Sequence, residues 1–156
     1  MRQTMMGLVA LMTAMLISLN VQRASLSAQT KVIENEMETI AGGIALETLD
    51  FVGSKPFDAA TAGGTVQEAS ELTPAPFTTN KLYTEAGDID DFHEMQTHTL
   101  QEFDFDFSVD MTVEYVDENN PDLPSATQTF AKKVTVTINN PFLRNPVQIA
   151  HVYTYP

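Results

Sequence analysis

Cysteine is absent from the 156 residues. That excludes a thiol nucleophile, a disulfide framework and a thiolate metal site. Basic residues are scarce: eight Lys and Arg stand against 21 Asp and Glu, for a formal charge of −13. No basic patch is available to neutralise phosphates, so nucleic acid is not an expected partner. The same acidity implies solubility and mutual repulsion between copies. Also missing are a nucleophile elbow, a P-loop, a dinucleotide-binding glycine pattern and zinc-ligand spacing. His93, His98 and His151 are scattered, and the step from His93 to His98 does not place them on one helix face. Neither an enzyme activity nor a cofactor is expected from such a set. The length suits one domain with one core.

Two further absences define the N-terminal third. No residue from Gln3 to Gln22 is charged, and no proline precedes Pro56. The run Met5–Leu19 is almost wholly apolar. As a helix, Gln3–Val21 would span roughly 28 Å, close to the hydrocarbon thickness of a bilayer. Arg2 lies on one side of it and the acidic remainder on the other, which orients the bulk of the chain outward. A cleavable signal peptide is the rival reading, with Met1–Thr4 as n-region, Met5–Leu19 as h-region and a small-residue site at Ser25-Leu26-Ser27-Ala28. Against it, helical spacing runs straight through that site. Val21, Ala24, Ala28 and Val32, then Ile33, Met37, Ile40, Ile44 and Thr48, recur at three and four residues, with Glu34, Glu36, Glu38, Glu47 and Asp50 opposite. Gly53 and Pro56 form a stop signal. The spacing predicts one helix over residues 1–53, with an apolar anchor at 3–21.

Within the anchor, Gly7, Ala10, Ala14 and Ser18 share one side. Small residues at that spacing let helix backbones approach closely, so these four are the candidate assembly residues. The competing reading is that Gly and Ala are simply common in membrane helices. Gly42-Gly43 marks either a close contact with the C-terminal domain, the favoured reading, or a bend point.

Residues 54–102 read as a connecting region, punctuated by Gly63-Gly64, Pro74 and Pro76. From Phe103 to Tyr115 apolar and polar residues alternate without a miss, which is a strand with one face buried. Phe130, Val134, Val136 and Ile138 alternate in a second strand, and Val147–Tyr155 forms a third. Turn residues join them at Asp117–Pro121 and Asn139-Asn140-Pro141. The expected fold class is α+β: a long N-terminal helix packed on a small antiparallel sheet of about three to four strands, occupying 103–156.

Asp88, Asp90 and Asp91 could offer oxygens to Ca²⁺. Their spacing is not that of an EF-hand loop, and a capping or turn role is the competing reading. Asp117, Glu118, Asn119 and Asp122 form a second, weaker cluster that a hairpin loop explains. Asp104, Asp106 and Asp110 are the wet face of a strand, where a column of like charge resists edge-to-edge aggregation.

A charge-free N-terminal segment that continues into an amphipathic helix of about fifty residues and then an antiparallel sheet resembles a type IV pilin or pseudopilin. That architecture covers the whole chain. Gly87-Asp88-Ile89-Asp90-Asp91-Phe92-His93 resembles the Asp-rich stretch of minor pilin-like proteins, including those of the mannose-sensitive haemagglutinin pilus. Ser54-Lys55-Pro56-Phe57-Asp58 sits where such proteins carry a short Phe-Asp element. Arg2 stands where the pilin leader motif has Gly, and Gly7 where the mature chain has Glu, counting Gln3 as the first mature residue. The resemblance implies a structural subunit that is held as a single pass in the inner membrane and then assembles into an extracellular filament. Its partners would be copies of itself or other pilin-like subunits, met through the N-terminal helix. The alternative is a single-pass, membrane-anchored binding module that does not polymerise.

Overall fold

The computed structural model describes residues 2–77, 81–95, 98–102 and 104–156, and of residues 2–5, 8–10 and 98 it describes the backbone. The chain has the α+β arrangement expected: one long N-terminal helix packed on a four-stranded antiparallel sheet. Helix α1 runs Arg2–Gly53 without a break, 52 residues or roughly 78 Å at helical rise. No proline interrupts it, and it ends at the glycine that precedes Pro56.

Among the described side chains, burial along α1 is confined to its C-terminal part. Among the described residues the first buried side chain is Met37, followed by Ala41, Ile44, Ala45, Thr48, Leu49 and Val52. Three- and four-residue steps keep these on one stripe, which lies on the last two strands of the sheet, Ala131–Asn139 and Val147–Thr154. Thr48 turns its hydroxyl to the Ile44 carbonyl at 2.7 Å, so a polar residue sits in the core without an orphaned group. Ile40 is half-buried, and Ile33, on the same spacing, is exposed.

The sheet order is β1-β2-β3-β4, with β1 at His98–Glu102, β2 at Phe105–Tyr115, β3 at Ala131–Asn139 and β4 at Val147–Thr154. All three pairings are antiparallel. The alternation in β2 appears as burial: Phe107, Val109, Met111, Val113 and Tyr115 are inside, and the residues between them are wetter. The sheet begins before the alternating run, because β1 precedes it and Asp104, at φ 66°, lies in the turn between them. Phe103 lies outside the described residues. β1 pairs only as far as Val109. Beyond it the outer edge of β2 is covered by the Asp-rich turn, where Glu94 N–H donates to the Met111 carbonyl and Val113 N–H to His93 Nδ1, both at 3.0 Å.

The connecting region lies against this core. It contributes Phe57, Leu72, Phe77, Ala86, Ile89, Phe92 and Met95 to the buried cluster. It also carries a short helix, α2, at Ala59–Ala62. The glycine pair Gly42-Gly43 does not mark a close contact: a Cβ at either position would meet nothing within 4 Å, and the helix continues through both. The sheet lies under the stripe on either side, and these two positions point away from it.

Candidate functional sites

The described side chains at the front of α1 are uncovered. Leu11, Met15, Leu16, Ile17, Val21 and Leu26 are all more than 60 % exposed. Each such side chain gains about 1.5–3 kcal/mol when fully withdrawn from water, so the segment favours any arrangement that covers it. Gly7, Ala14 and Ser18 are exposed along it, as the small-residue face requires, and a Cβ at Gly7 would meet nothing. The side chain of Ala10 lies outside the described residues. Among the described residues no helix is long and apolar enough to cross a membrane. Where α1 meets the sheet, Val32, Met37, Ile40 and Phe105 line an open apolar groove of about 590 Å³.

The second site is buried, and the sequence patterning had not singled out its central residue. Lys132 stands on β3 opposite Tyr115 of β2 and Tyr153 of β4. The alternation that turns Val134, Val136 and Ile138 inward also turns Lys132 inward, and it is fully buried. Its Nζ lies 2.9 Å from the Phe57 carbonyl, 2.9 Å from Asp58 Oδ2 and 2.6 Å from Asp90 Oδ1. The rings of Phe57, Tyr115 and Phe77 surround it at 4.4, 5.1 and 5.5 Å from their centroids. Each ring presents its negative face to the ammonium and keeps water out.

Asp58 is fixed on every side. Oδ1 caps α2 by accepting from Ala60 N–H at 3.0 Å, and Thr61 Oγ1 accepts in return from Asp58 N–H. Thr73 donates its N–H to Oδ2 at 2.9 Å and its hydroxyl to Oδ1 at 3.1 Å. Thr73 is itself held by Tyr115, whose hydroxyl donates to its carbonyl at 2.7 Å. Burial alone would raise the Asp58 pKa, but the backbone donors of Ala60 and Thr73, together with Lys132, outweigh it and hold the carboxyl well below the ordinary range.

Asp90 is different. Burial pushes its pKa up to about 7; Lys132 opposes the rise and neighbouring Asp58 adds to it. The contact from Lys132 to Asp58 is a hydrogen bond, whereas the shorter one to Asp90 is not aligned as one, and Asp90 Oδ2 is buried without a donor among the described residues. One cation faces two carboxylates in a dry pocket. A buried unpaired ion costs several kcal/mol, and retaining a proton on Asp90 reduces the pocket to one cation and one anion.

The three candidate calcium ligands therefore have separate engagements. Both Asp91 oxygens lie 2.7 Å from Lys81 Nζ, and Oδ2 also accepts from Gly87 N–H at 2.8 Å. Asp88 Oδ1 accepts from Asp91 N–H at 3.2 Å, which closes the turn. Burial, then the charge of Asp91, raises the Asp88 pKa. Asp90 faces Lys132. Among the described residues no group of three or more acidic or histidine side chains is placed to hold a metal ion. His151 packs on Tyr153 within the edge strand β4, whereas His93 bonds Val113 of β2, and the His98 side chain lies outside the described residues.

The two motifs that carry the family resemblance, Phe57-Asp58 and the Asp-rich stretch 87–93, converge on one lysine that neither motif contains. Compared with known proteins, the chain matches no family model, no curated protein and no solved structure.

Proposed function

We propose that the chain is a structural subunit of a type IV pilin-like or pseudopilin-like surface filament, assembling through the front of α1. One observation carries this reading. Among the described residues, the helix continues for about 35 residues, roughly 50 Å, before its first buried side chain, and much of that length is apolar. Such a surface is covered either by hydrocarbon or by other helices. Before assembly the front lodges in the inner membrane. Afterwards it packs against the same segment of neighbouring subunits, with Gly7, Ala10, Ala14 and Ser18 giving the close approach. The sheet, with its acidic open face, stays outside the bundle.

The test uses the intact chain. Extracted from membranes, freed of detergent and viewed by negative-stain electron microscopy, it forms filaments or ordered oligomers. Removal of residues 1–21 leaves a soluble monomer with an unchanged β signal in circular dichroism. An intact chain that stays monomeric in lipid at every concentration would overturn the assembly reading and favour an anchored module that does not polymerise.

A further inference from the structure

We propose that Lys132 and Asp90 condense to an amide, so that a covalent side-chain cross-link ties the Asp-rich turn to strand β3. This inference goes beyond the assembly reading and stands independently of it. It rests on the placement of three groups. The Lys132 amine, fully buried, lies 2.6 Å from Asp90 Oδ1, without the alignment of a hydrogen bond. Asp90 Oδ2, the oxygen that would leave, has no donor holding it among the described residues. Asp58 Oδ2 does accept a hydrogen bond from the same amine, at 2.9 Å.

The roles follow from these contacts. Asp58 is the proton carrier, because it is the hydrogen-bonded acceptor and backbone donors hold it in one position. Asp90 is the acyl group, because its Oδ2 is unheld and burial shifts its carboxyl toward the neutral acid, a far better electrophile than a carboxylate. Lys132 passes a proton transiently to Asp58, an uphill step because that carboxyl is held as the ion, and leaves a neutral amine. Nζ then attacks Cγ of Asp90. The C–N bond forms, the C–Oδ2 bond breaks, the proton on Asp58 moves to the departing hydroxyl, and the second amine proton returns to Asp58. One water is lost and no oxidant or activated ester is required. The aromatic rings around Nζ keep bulk water away from the reacting groups. Holding the reactants in contact replaces a bimolecular encounter, an advantage that reaches about 10⁵–10⁸ M in effective concentration for well-oriented groups. The water can leave through the cleft of about 460 Å³ that Asp90 lines with Thr73, Phe77 and Asp88.

Intact-mass spectrometry of the full chain under denaturing conditions tests this directly. The expected mass is one water below that of the sequence. Glu-specific digestion, which cuts between residues 90 and 132, leaves the two segments joined, and tandem fragmentation places the link at Asp90 and Lys132. The Lys132→Arg chain, which keeps a cation but has no reactive amine, has its full sequence mass. Asp58→Asn, which keeps the shape but cannot carry the proton, closes the bond at least tenfold more slowly after refolding. A folded, aged wild-type chain at full sequence mass would overturn the proposal and leave a buried ion pair. A link mapped to Asp58 would overturn the assignment of roles.

Discussion

Tyr153 and Gly53 lock the end of α1 to the last strand. The Tyr153 ring lies so close that a Cβ at Gly53 would be 2.8 Å from its Cε1, and its hydroxyl is tied to the Leu49 carbonyl one turn back at 2.5 Å. The ring therefore cannot swing aside. Gly53→Ala is expected to destabilise the fold by about 1–3 kcal/mol, the usual range for overpacking, read from the urea midpoint. In a Tyr153→Ala background the sign changes: Gly53→Ala becomes neutral or stabilises by up to about 1 kcal/mol, because alanine is the better helix former. Additive effects in that double-mutant cycle would show that the ring does not impose the glycine.

The opposite outcome is expected at Gly42 and Gly43. With open space at both Cβ positions and no positive φ, neither glycine is needed for packing or backbone conformation. Gly42→Ala and Gly43→Ala should each raise stability by about 1 kcal/mol in the monomeric, front-truncated chain. A drop in the thermal midpoint of either variant would contradict that geometry.

Alkaline titration should report the half-buried phenols. Burial, then the charge of Asp50, pushes the Tyr153 hydroxyl up to about 12, and burial, then Glu47, raises Tyr83. Between pH 10 and 12 the folded chain thus keeps a Tyr153 proton that the unfolded chain releases. Stability from this group is complete below about pH 10 and is lost as the pH rises through 12. Difference absorbance of phenolate should show fewer ionised tyrosines in the folded chain at pH 11 than in urea. Tyr153→Phe should flatten the alkaline slope, at the cost of about 1 kcal/mol at neutral pH from the lost bond to Leu49. Equal phenolate absorbance in both states would contradict the partial burial of these rings.

The small-residue face gives a separable prediction for assembly. Ala14→Lys should abolish filaments while leaving the thermal midpoint of the sheet unchanged, since Ala14 is exposed and far along α1 from Met37. Ala14→Leu, which keeps the segment apolar but blocks close approach, should weaken assembly by at least tenfold in critical concentration. Filaments of normal yield from both variants would contradict the proposed packing face.

Much of the fold was legible as period. The three-and-four spacing from Met37 to Val52 and the two-residue alternation of β2 depend on burial of one face, and each leaves a pattern along the chain. β1 left none. His98–Glu102 has one large apolar residue, Leu100, and joins the sheet through backbone pairing with β2, for which side chains carry no signal. The glycine pair misled for a related reason: a helical glycine can face a neighbour or open space, and composition is the same in both cases.

The buried site was half legible. Phe57-Asp58 and the Asp-rich stretch stand out as motifs, but the residue they share does not. Lys132 falls on the inward parity of β3, in step with Val134, Val136 and Ile138. Parity alone would have asked for its carboxylate partners. The expectation that a lysine in a strand faces water obscured that signal, and the two acids lie about 40 and 70 residues away in sequence.

The contacts of α1 are divided along its length, and the division separates two kinds of selection. Substitutions ahead of Met37 can answer to neighbours, lipid or load without disturbing the core, and substitutions behind it can answer to folding without altering what the rod meets. A lineage could therefore retool one half while the other stood still, and related chains should diverge at different rates on either side of that residue.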